Sequence, residues 1–364
     1  MNTARRLTLL AALSALAACD SDGPVSPSPQ TAPSADPVRL ALPTYDGSGE
    51  AVHPDLLHFP GGWRGWEYWM AVTPYPRGNA RYENPSILVS HDGEAWTVPP
   101  GLTNPVVPAT AAGYNSDPDL VYDAAGDRLV LVYREVAGGF NVIRSVASAD
   151  GVAWSVASTL FRVPNHHAIS PALATVDPAH PMAWYVDAGT VGCATRSATV
   201  KLRVADGPSA LTPAAVEAGW SAERATTLGL PGFVLWHLDV VYHPVRREYW
   251  AIFPAFPSGR SCGEGDLFLA RSTDGVDWTA YPTPLLTTGV ADWTGASLYR
   301  ATALLDLESN RLDVWFSARA DDGRWSVGLV AYEVPELLAA LAAGREPVRV
   351  RYGQPVQAAR AGER

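Results

Sequence analysis

Short apolar and aromatic runs, each closed by a polar turn, recur along this chain. The clearest turn reads S-x-D-G-x-x-W and occurs three times, as Ser90-His-Asp-Gly-Glu-Ala-Trp96, Ser148-Ala-Asp-Gly-Val-Ala-Trp154 and Ser272-Thr-Asp-Gly-Val-Asp-Trp278. An Asp-Gly pair between two extended runs favours a tight hairpin: Gly takes positive φ without a Cβ penalty, and Asp accepts from nearby backbone N–H groups. Ser supports the same turn, and Trp packs its apolar face on the sheet just re-entered. Three copies imply a repeated unit.

The runs upstream of each turn define that unit. Reading back from Asp274 predicts strands at Asp266–Arg271, Glu248–Phe253 and Leu238–Tyr242, the last opening at His237-Leu-Asp239. From Asp92 the same walk gives Ser86–Val89, Tyr68–Thr73 and Leu56–Phe59, opening at His53-Pro-Asp55. From Asp150 it gives Val142–Ser145, Arg128–Arg134 and Leu120–Tyr122, opening at Asp117-Pro-Asp119. Opening Asp to turn Asp spans 37, 31 and 35 residues (55 to 92, 119 to 150, 239 to 274). Two degenerate units fill the gaps. One opens at Ser170-Pro-Ala and passes Met182–Asp187 and Val200–Val204 to Asp206-Gly207; the other opens at Arg300-Ala-Thr and runs through Arg311–Ala318 and Trp325–Glu333. Five four-stranded units at roughly 60-residue spacing predict an all-β fold, a five-bladed β-propeller over 38–334. Val38–Leu42 supplies the outer strand that the last blade lacks, and 335–364 forms a short C-terminal helix and tail.

In such a blade the innermost strand starts at one face, here called the top, and the loop between second and third strands returns there. The S-x-D-G-x-x-W turns fall on the bottom, so Asp92, Asp150 and Asp274 are structural. Asp55, Asp119, Asp239 and Arg300 open innermost strands where five strands converge, and His53, Asn115, Asp117, His237 and Tyr299 sit just before them. Charges are costly to desolvate without a paired or functional role. The cluster therefore reads as a functional pocket or as a structural ion plug. Top-face loops add Glu83, Glu135, Glu264, Asp266, Asp321 and Asp322. Trp63, Trp66 and Trp69 crowd one segment, where they suit either sugar faces or blade packing.

The N-terminus changes the picture of where the protein works. Arg5-Arg6 precede an apolar run, Leu7–Ala18, that is too short to span a bilayer as a mature helix. It ends Leu16-Ala-Ala-Cys19, similar to a bacterial lipobox in which Cys19 is lipidated. Residues 1–19 then form a lipoprotein signal, and the Pro/Ser-rich stretch 20–37 forms a tether. The expected location is the cell envelope, in the periplasm or at the cell surface. Two other cysteines remain, Cys193 and Cys262, both in loops between second and third strands of consecutive units. In an oxidising compartment they are expected to form a disulfide. The net charge of −10 and pI near 5.3 disfavour nucleic acid as a partner, and a monomer is expected.

The five-unit layout, the Asp-Pro-Asp opening and the S-x-D-G-x-x-W turns resemble the five-bladed propeller glycoside hydrolases, namely glycoside hydrolase family 43 and the invertase/levanase group. The resemblance covers about residues 38 to 334. It implies a glycoside hydrolase acting on an oligo- or polysaccharide, with Asp55 as base or nucleophile and Asp119 orienting the sugar. The Glu acid of those families has no match where the fourth innermost strand opens at His237-Leu-Asp239, which leaves Glu83 or Asp239 as acid. Inversion is the stereochemistry implied. His53, Asn115, Asp117, His237, Tyr299 and Arg300 are assigned to substrate binding. No ligand spacing assigns a metal, and a divalent cation in the channel stays open. A glycan-binding surface lipoprotein without catalysis is the alternative.

Overall fold

The computed structural model describes residues 34–108, 111 and 113–353. The signal segment with Cys19, most of the tether and the tail after residue 353 lie outside the described residues. The strands in chain order are β1 (Val38–Arg39), β2 (Ala51–Trp63), β3 (Trp66–Pro74), β4 (Ser86–Ser90), β5 (Gly113–Asp123), β6 (Arg128–Ala137), β7 (Phe140–Ser148) and β8 (Ser158–Pro164). They continue as β9 (Ile169–Ala174), β10 (Met182–Asp187), β11 (Thr199–Val204), β12 (Arg224–Ala225), β13 (Phe233–Leu235) and β14 (Asp239–His243). The last are β15 (Glu248–Pro257), β16 (Asp266–Ser272), β17 (Thr279–Ala280), β18 (Ser297–Asp306), β19 (Arg311–Arg319) and β20 (Trp325–Glu333), followed by helix α1 (Val334–Ala342).

These strands form five antiparallel sheets whose innermost members, β2, β5, β9, β14 and β18, touch in a closed cycle. The fold is a five-bladed β-propeller. The N-terminal strand closes the ring: Val38 pairs with Leu329 and Arg39 with Gly328 of β20, and Leu40 N–H extends the ladder to Val327. The first blade departs from the four-stranded expectation. Its outer strand is reduced to a single bridge, Val89 to Thr97, because Pro99 and Pro100 follow and offer no N–H to a ladder. The Asn104 side chain takes over, accepting from Ile87 N–H and donating to Ile87 C=O. In the fourth blade β13 adds to the far end of β15. Helix α1 starts with Pro335 in its first turn and buries Val334, Leu337 and Leu341 against the last two blades.

The three S-x-D-G-x-x-W turns share one geometry. The Asp150 carboxylate accepts from the N–H groups of Val152 and Ala153, both at 2.8 Å, and from Ser148 Oγ at 3.0 Å. Those backbone donors hold its carboxyl below the usual carboxylate range. Asp92 and Asp274 repeat the pattern. The turn glycines do more than permit a positive φ. A Cβ on Gly151 would lie 2.1 Å from the Trp69 ring, one on Gly275 2.6 Å from Trp184, and one on Gly93 3.2 Å from Trp315. Each turn therefore seats on a fully buried Trp of the preceding blade's second strand. Two of those indoles also donate back, Trp184 to Gly275 O at 2.7 Å and Trp315 to Gly93 O at 3.1 Å.

The degenerate third unit fits the same rule. A Cβ on its Gly207 would meet nothing within 4 Å, and β6 of the preceding blade carries no Trp. Trp250 is the exception: it is buried on β15, but its indole donates to Glu248 in its own strand. On the top face, Cys193 and Cys262 form a disulfide with Cα atoms 5.3 Å apart, joining the third and fourth blades.

Gly151→Ala and Gly207→Ala both force a non-glycine residue into positive φ, at a cost of about 1 kcal/mol each. Only the first also drives a methyl into Trp69, which adds about 1–3 kcal/mol of overpacking. Thermal unfolding should show a clearly larger loss of Tm for Gly151→Ala. Separately, Cys193→Ala with Cys262→Ala should cost about 4 kcal/mol from released loop-closure entropy, read by denaturant unfolding.

Candidate functional site

The site begins with prolines. His53, Asp117 and Ser170 each precede a proline in an innermost strand, and proline has no N–H for the ladder. Pairing breaks there, between Val52 and Asp55 and between Ser116 and Asp119, and β9 shifts register over the matching residues. His53, Asp117 and Ser170 take φ of 58°, 50° and 54°, the left-handed region that costs a non-glycine residue about 1–2 kcal/mol. Specific bonds hold them there. His53 N–H donates to Ser317 Oγ at 2.9 Å, and Ser170 N–H to Asp117 Oδ2 at 3.1 Å. β18 breaks similarly between Leu298 and Ala301, over Tyr299 and Arg300.

These bulges sort the sequence-predicted residues into two layers. His53, Asp117, His237 and Tyr299 meet in the upper layer. Asp117 Oδ1 lies 3.3 Å from His53 Nε2 and 3.4 Å from His237 Nδ1. The His53 and His237 ring centroids are 5.1 Å apart, and Tyr299 stands 4.3 Å from His237. None of these three facing ligand atoms makes a hydrogen bond. The tautomer of His53 follows from its other nitrogen: Thr73 Oγ1 donates to Val52 O and so accepts from His53 Nδ1–H at 3.0 Å. Nε2 then turns a lone pair toward an anionic oxygen. Burial pushes His53 down to about 3, so protonation does not relieve this contact. Burial would raise Asp117, but Arg134, with Nε at 2.8 Å from Oδ2, and the neighbouring cationic groups hold it below the usual range.

Asp117 Oδ1 at 3.3 and 3.4 Å from the two imidazole nitrogens, with all three atoms within 4.8 Å of one another, matches the spacing of ligands around one ion at about 2.0–2.2 Å. His53, Asp117 and His237 are thus a set that could hold a divalent cation. Two imidazoles and one carboxylate suit zinc or another first-row ion better than calcium. Glu83 lies beside this set, with Oε2 4.0 Å from His53 Nδ1. Burial and then Asp117 raise its carboxyl well above the usual range.

The lower layer holds Asp55, Asp119 and Asp239, each at most 5 % exposed. Their carboxylates stitch blades together. Asp55 accepts from Leu120 N–H, Asp119 from Leu173 N–H at 3.1 Å, and Asp239 from Ala303 N–H and Thr302. Arg300 is fully buried, with Nη2 3.3 Å from Asp119 Oδ1 and from Pro171 O. Below the acids a cavity of about 540 Å³ runs between the innermost strands, past Tyr122, Val176 and Tyr242.

Some sequence-assigned residues thus play a different part in the geometry. Asn115 is buried, its N–H donating to Glu83 O at 2.9 Å and its amide to Asn84, so it braces the Glu83 loop. Glu135 is taken up by Arg144. Trp69 packs between blades, Trp63 donates to Asp127, and Trp66 stacks on His91, so all three lie apart from the upper layer. The aromatic wall is instead Tyr75, Trp325, Tyr299 and Trp236, linked by ring contacts of 5.4 and 5.2 Å and by an indole bond to Tyr299. Tyr75, Trp236 and Trp325 carried no sequence signal beyond their place at strand ends.

The fold of this chain is similar to that of solved five-bladed propellers. Its structure superimposes on a thermostable family-43 glycoside hydrolase with a TM-score of 0.57, at 12% identity over 78% of this chain and 89% of the other. No known protein-family profile matches the sequence. A more similar structure is an N-acetylgalactosamine deacetylase from F. plautii, in complex with blood group B trisaccharide. Its TM-score is 0.76, at 24% identity over 85% of this chain and 97% of that one. In sequence the chain is 29% identical over 317 residues to the A type blood N-acetyl-alpha-D-galactosamine deacetylase of Flavonifractor plautii, covering 75% of this chain and 40% of that protein. The chain spans well under half the length of that curated relative.

The lower layer makes a sharp stability prediction. Burial and then Asp239 raise Asp55 to about 7, while the unfolded chain titrates near 3.8. The folded state therefore binds the proton more tightly, and this contribution to stability is lost as pH rises from about 4 through 7. Asp55→Asn should flatten that decline in denaturant melts. Asp119→Ala should cost about 3–5 kcal/mol, because it removes the carboxylate hydrogen-bonded to the buried Arg300 and leaves that charge only Asp55, Asp239 and Pro171 O.

Proposed function

We propose that the protein is a carbohydrate-active hydrolase that removes an N-acetyl group from an amino sugar of a glycan. His53, Asp117 and His237 are the proposed ligands of a divalent ion. The observation that carries this reading is the convergence of three buried, unpaired ligand atoms, with the His53 lone pair fixed toward Asp117. The named activity of the F. plautii deacetylase agrees with it. A divalent ion there would supply Lewis-acid polarisation of an amide carbonyl and a more acidic water.

The chain's own residues supply the rest. Thr73 and Arg134 fix the orientation of His53 and Asp117. Tyr75, Trp236 and Trp325 offer flat faces to a sugar ring. Glu83 starts this step as the carboxylate, takes a proton from the attacking water and then gives it to the departing nitrogen. The water oxygen bonds to the carbonyl carbon as the π pair moves onto the carbonyl oxygen. Collapse restores the carbonyl and breaks the C–N bond, leaving acetate and an amine.

A glycosidase reading in the same pocket is favoured by one observation, the split between a raised Glu83 and a lowered Asp117. In it Asp117 takes the part that the family resemblance gave to Asp55, which the lower layer holds against Leu120. The two readings differ in product. With oligosaccharides ending in N-acetylhexosamine, acetate and a primary amine should appear without new reducing ends. A chelator should abolish release, and zinc should restore it. His53→Ala, His237→Ala and Glu83→Gln should each lower kcat by about 10²-fold or more. New reducing ends without acetate would favour the glycosidase, and glycan binding with neither product would make this a binding protein.

We also infer an exported, envelope-anchored protein, from the lipobox-like Leu16-Ala-Ala-Cys19. Cys19→Ser should move the protein from the membrane to the soluble fraction or block its processing. Unchanged fractionation would sink the anchor.

A further inference from the structure

Amide hydrolysis builds negative charge on the carbonyl oxygen, and a site gains rate by aiming a donor where that charge develops. Arg134 spends Nε and Nη2 on Asp117 and Ser116, and Arg300 keeps Nε and Nη1 unpaired among the described residues but is fully buried, with Nη2 on Asp119 of the lower layer. Tyr299 is different. It stands on the β18 bulge, its ring 4.3 Å from His237 and 5.5 Å from His53 by centroid, and it keeps part of its surface open where both histidines are buried. Its phenol oxygen accepts from Trp236 Nε1–H at 3.1 Å. An indole N–H can only donate, so this bond fixes the phenol oxygen as acceptor and leaves its own proton to point elsewhere. Among the described residues no acceptor takes that proton. A donor into the phenol oxygen also strengthens the O–H as a donor.

We propose that the Tyr299 hydroxyl donates the hydrogen bond that stabilises the oxyanion of the departing acyl group, with Trp236 as its positioning residue. This rests on the hydrolytic reading above and adds a catalytic group to it. No bond is made or broken at Tyr299: the hydroxyl keeps its proton while the carbonyl oxygen gains and then returns the π electron pair.

Tyr299→Phe removes one oxygen and keeps the ring that packs on His237. Acetate release from an N-acetylhexosamine oligosaccharide by the zinc-loaded protein should fall by about 10²–10³-fold in kcat, with KM unchanged. Zinc stoichiometry and Tm should match the parent. Trp236→Phe should give a smaller loss in kcat, and no further loss in the Tyr299→Phe background, because it acts through that hydroxyl. Parental kcat in an active Tyr299→Phe protein overturns the proposal, as does a loss confined to KM. A loss that follows zinc content or Tm overturns it too, since Tyr299 would then be only a packing residue. Trp236→Phe costing as much in the Tyr299→Phe background as in the parent removes the positioning role. A parent that releases no acetate defeats the hydrolytic reading itself, a result separate from an active parent indifferent to Tyr299→Phe.

Discussion

A missing backbone N–H organises this molecule. Where His53, Asp117 and Ser170 meet their prolines, the innermost strands cannot pair continuously, and each strand bulges into left-handed backbone. A regular strand would send alternate side chains into the blade and into the channel. The bulge breaks that alternation and brings two successive layers to the axis. The upper layer collects nitrogen and oxygen ligands; the lower one collects carboxylates that bind the next blade. Without the break, neither the facing His53, Asp117 and His237 nor the stitching Asp55, Asp119 and Asp239 would exist. The strain at three residues is thus sustained by ring closure, because their holding partners, Ser317 for His53 and Asp117 for Ser170, come from neighbouring blades.

The blades are further held by a contact of shape rather than charge. A turn with no side chain at its glycine lies on an indole of the blade before it, and where β6 has no indole the turn has decayed. This explains why the motif was legible. A glycine that another residue cannot replace, an Asp that caps two N–H groups and a Trp each leave a mark at fixed spacing. Blade number, the closing strand at Val38 and the direction of the turns all followed from those marks. The outer edge of the first blade did not, since it depends on two prolines and on a single Asn side chain that replaces a strand.

The site was legible in its membership and not in its layering. Sequence reading brought His53, Asp117, His237, Tyr299 and Glu83 to one end of the channel and, with Glu83 or Asp239 as acid, gave Asp55 and Asp119 the roles that the family resemblance implies. A shift of one residue reverses which side chain faces a given side of a strand, and the bulge that makes this shift is invisible without pairing. The set that could hold an ion was hidden for another reason. Its members come from three blades, at positions 53, 117 and 237, so no short spacing betrays them. Trp236 is an ordinary strand-end residue until the fold sets it against Tyr299.

The closing strand also governs when the molecule can finish folding. Val38 and Leu329 are partners in space but lie 291 residues apart in sequence (38 to 329), so blade five stays incomplete until all the blades between them are available. Pairings of such long sequence separation form slowly, since their loop-closure entropy must be met before they return any stability. Until then the outer edge of β20 is an unpaired strand, able to capture the wrong partner. Ring closure is therefore a commitment step. It sets the last blade, protects that edge and tightens the axis on which the two layers of side chains converge.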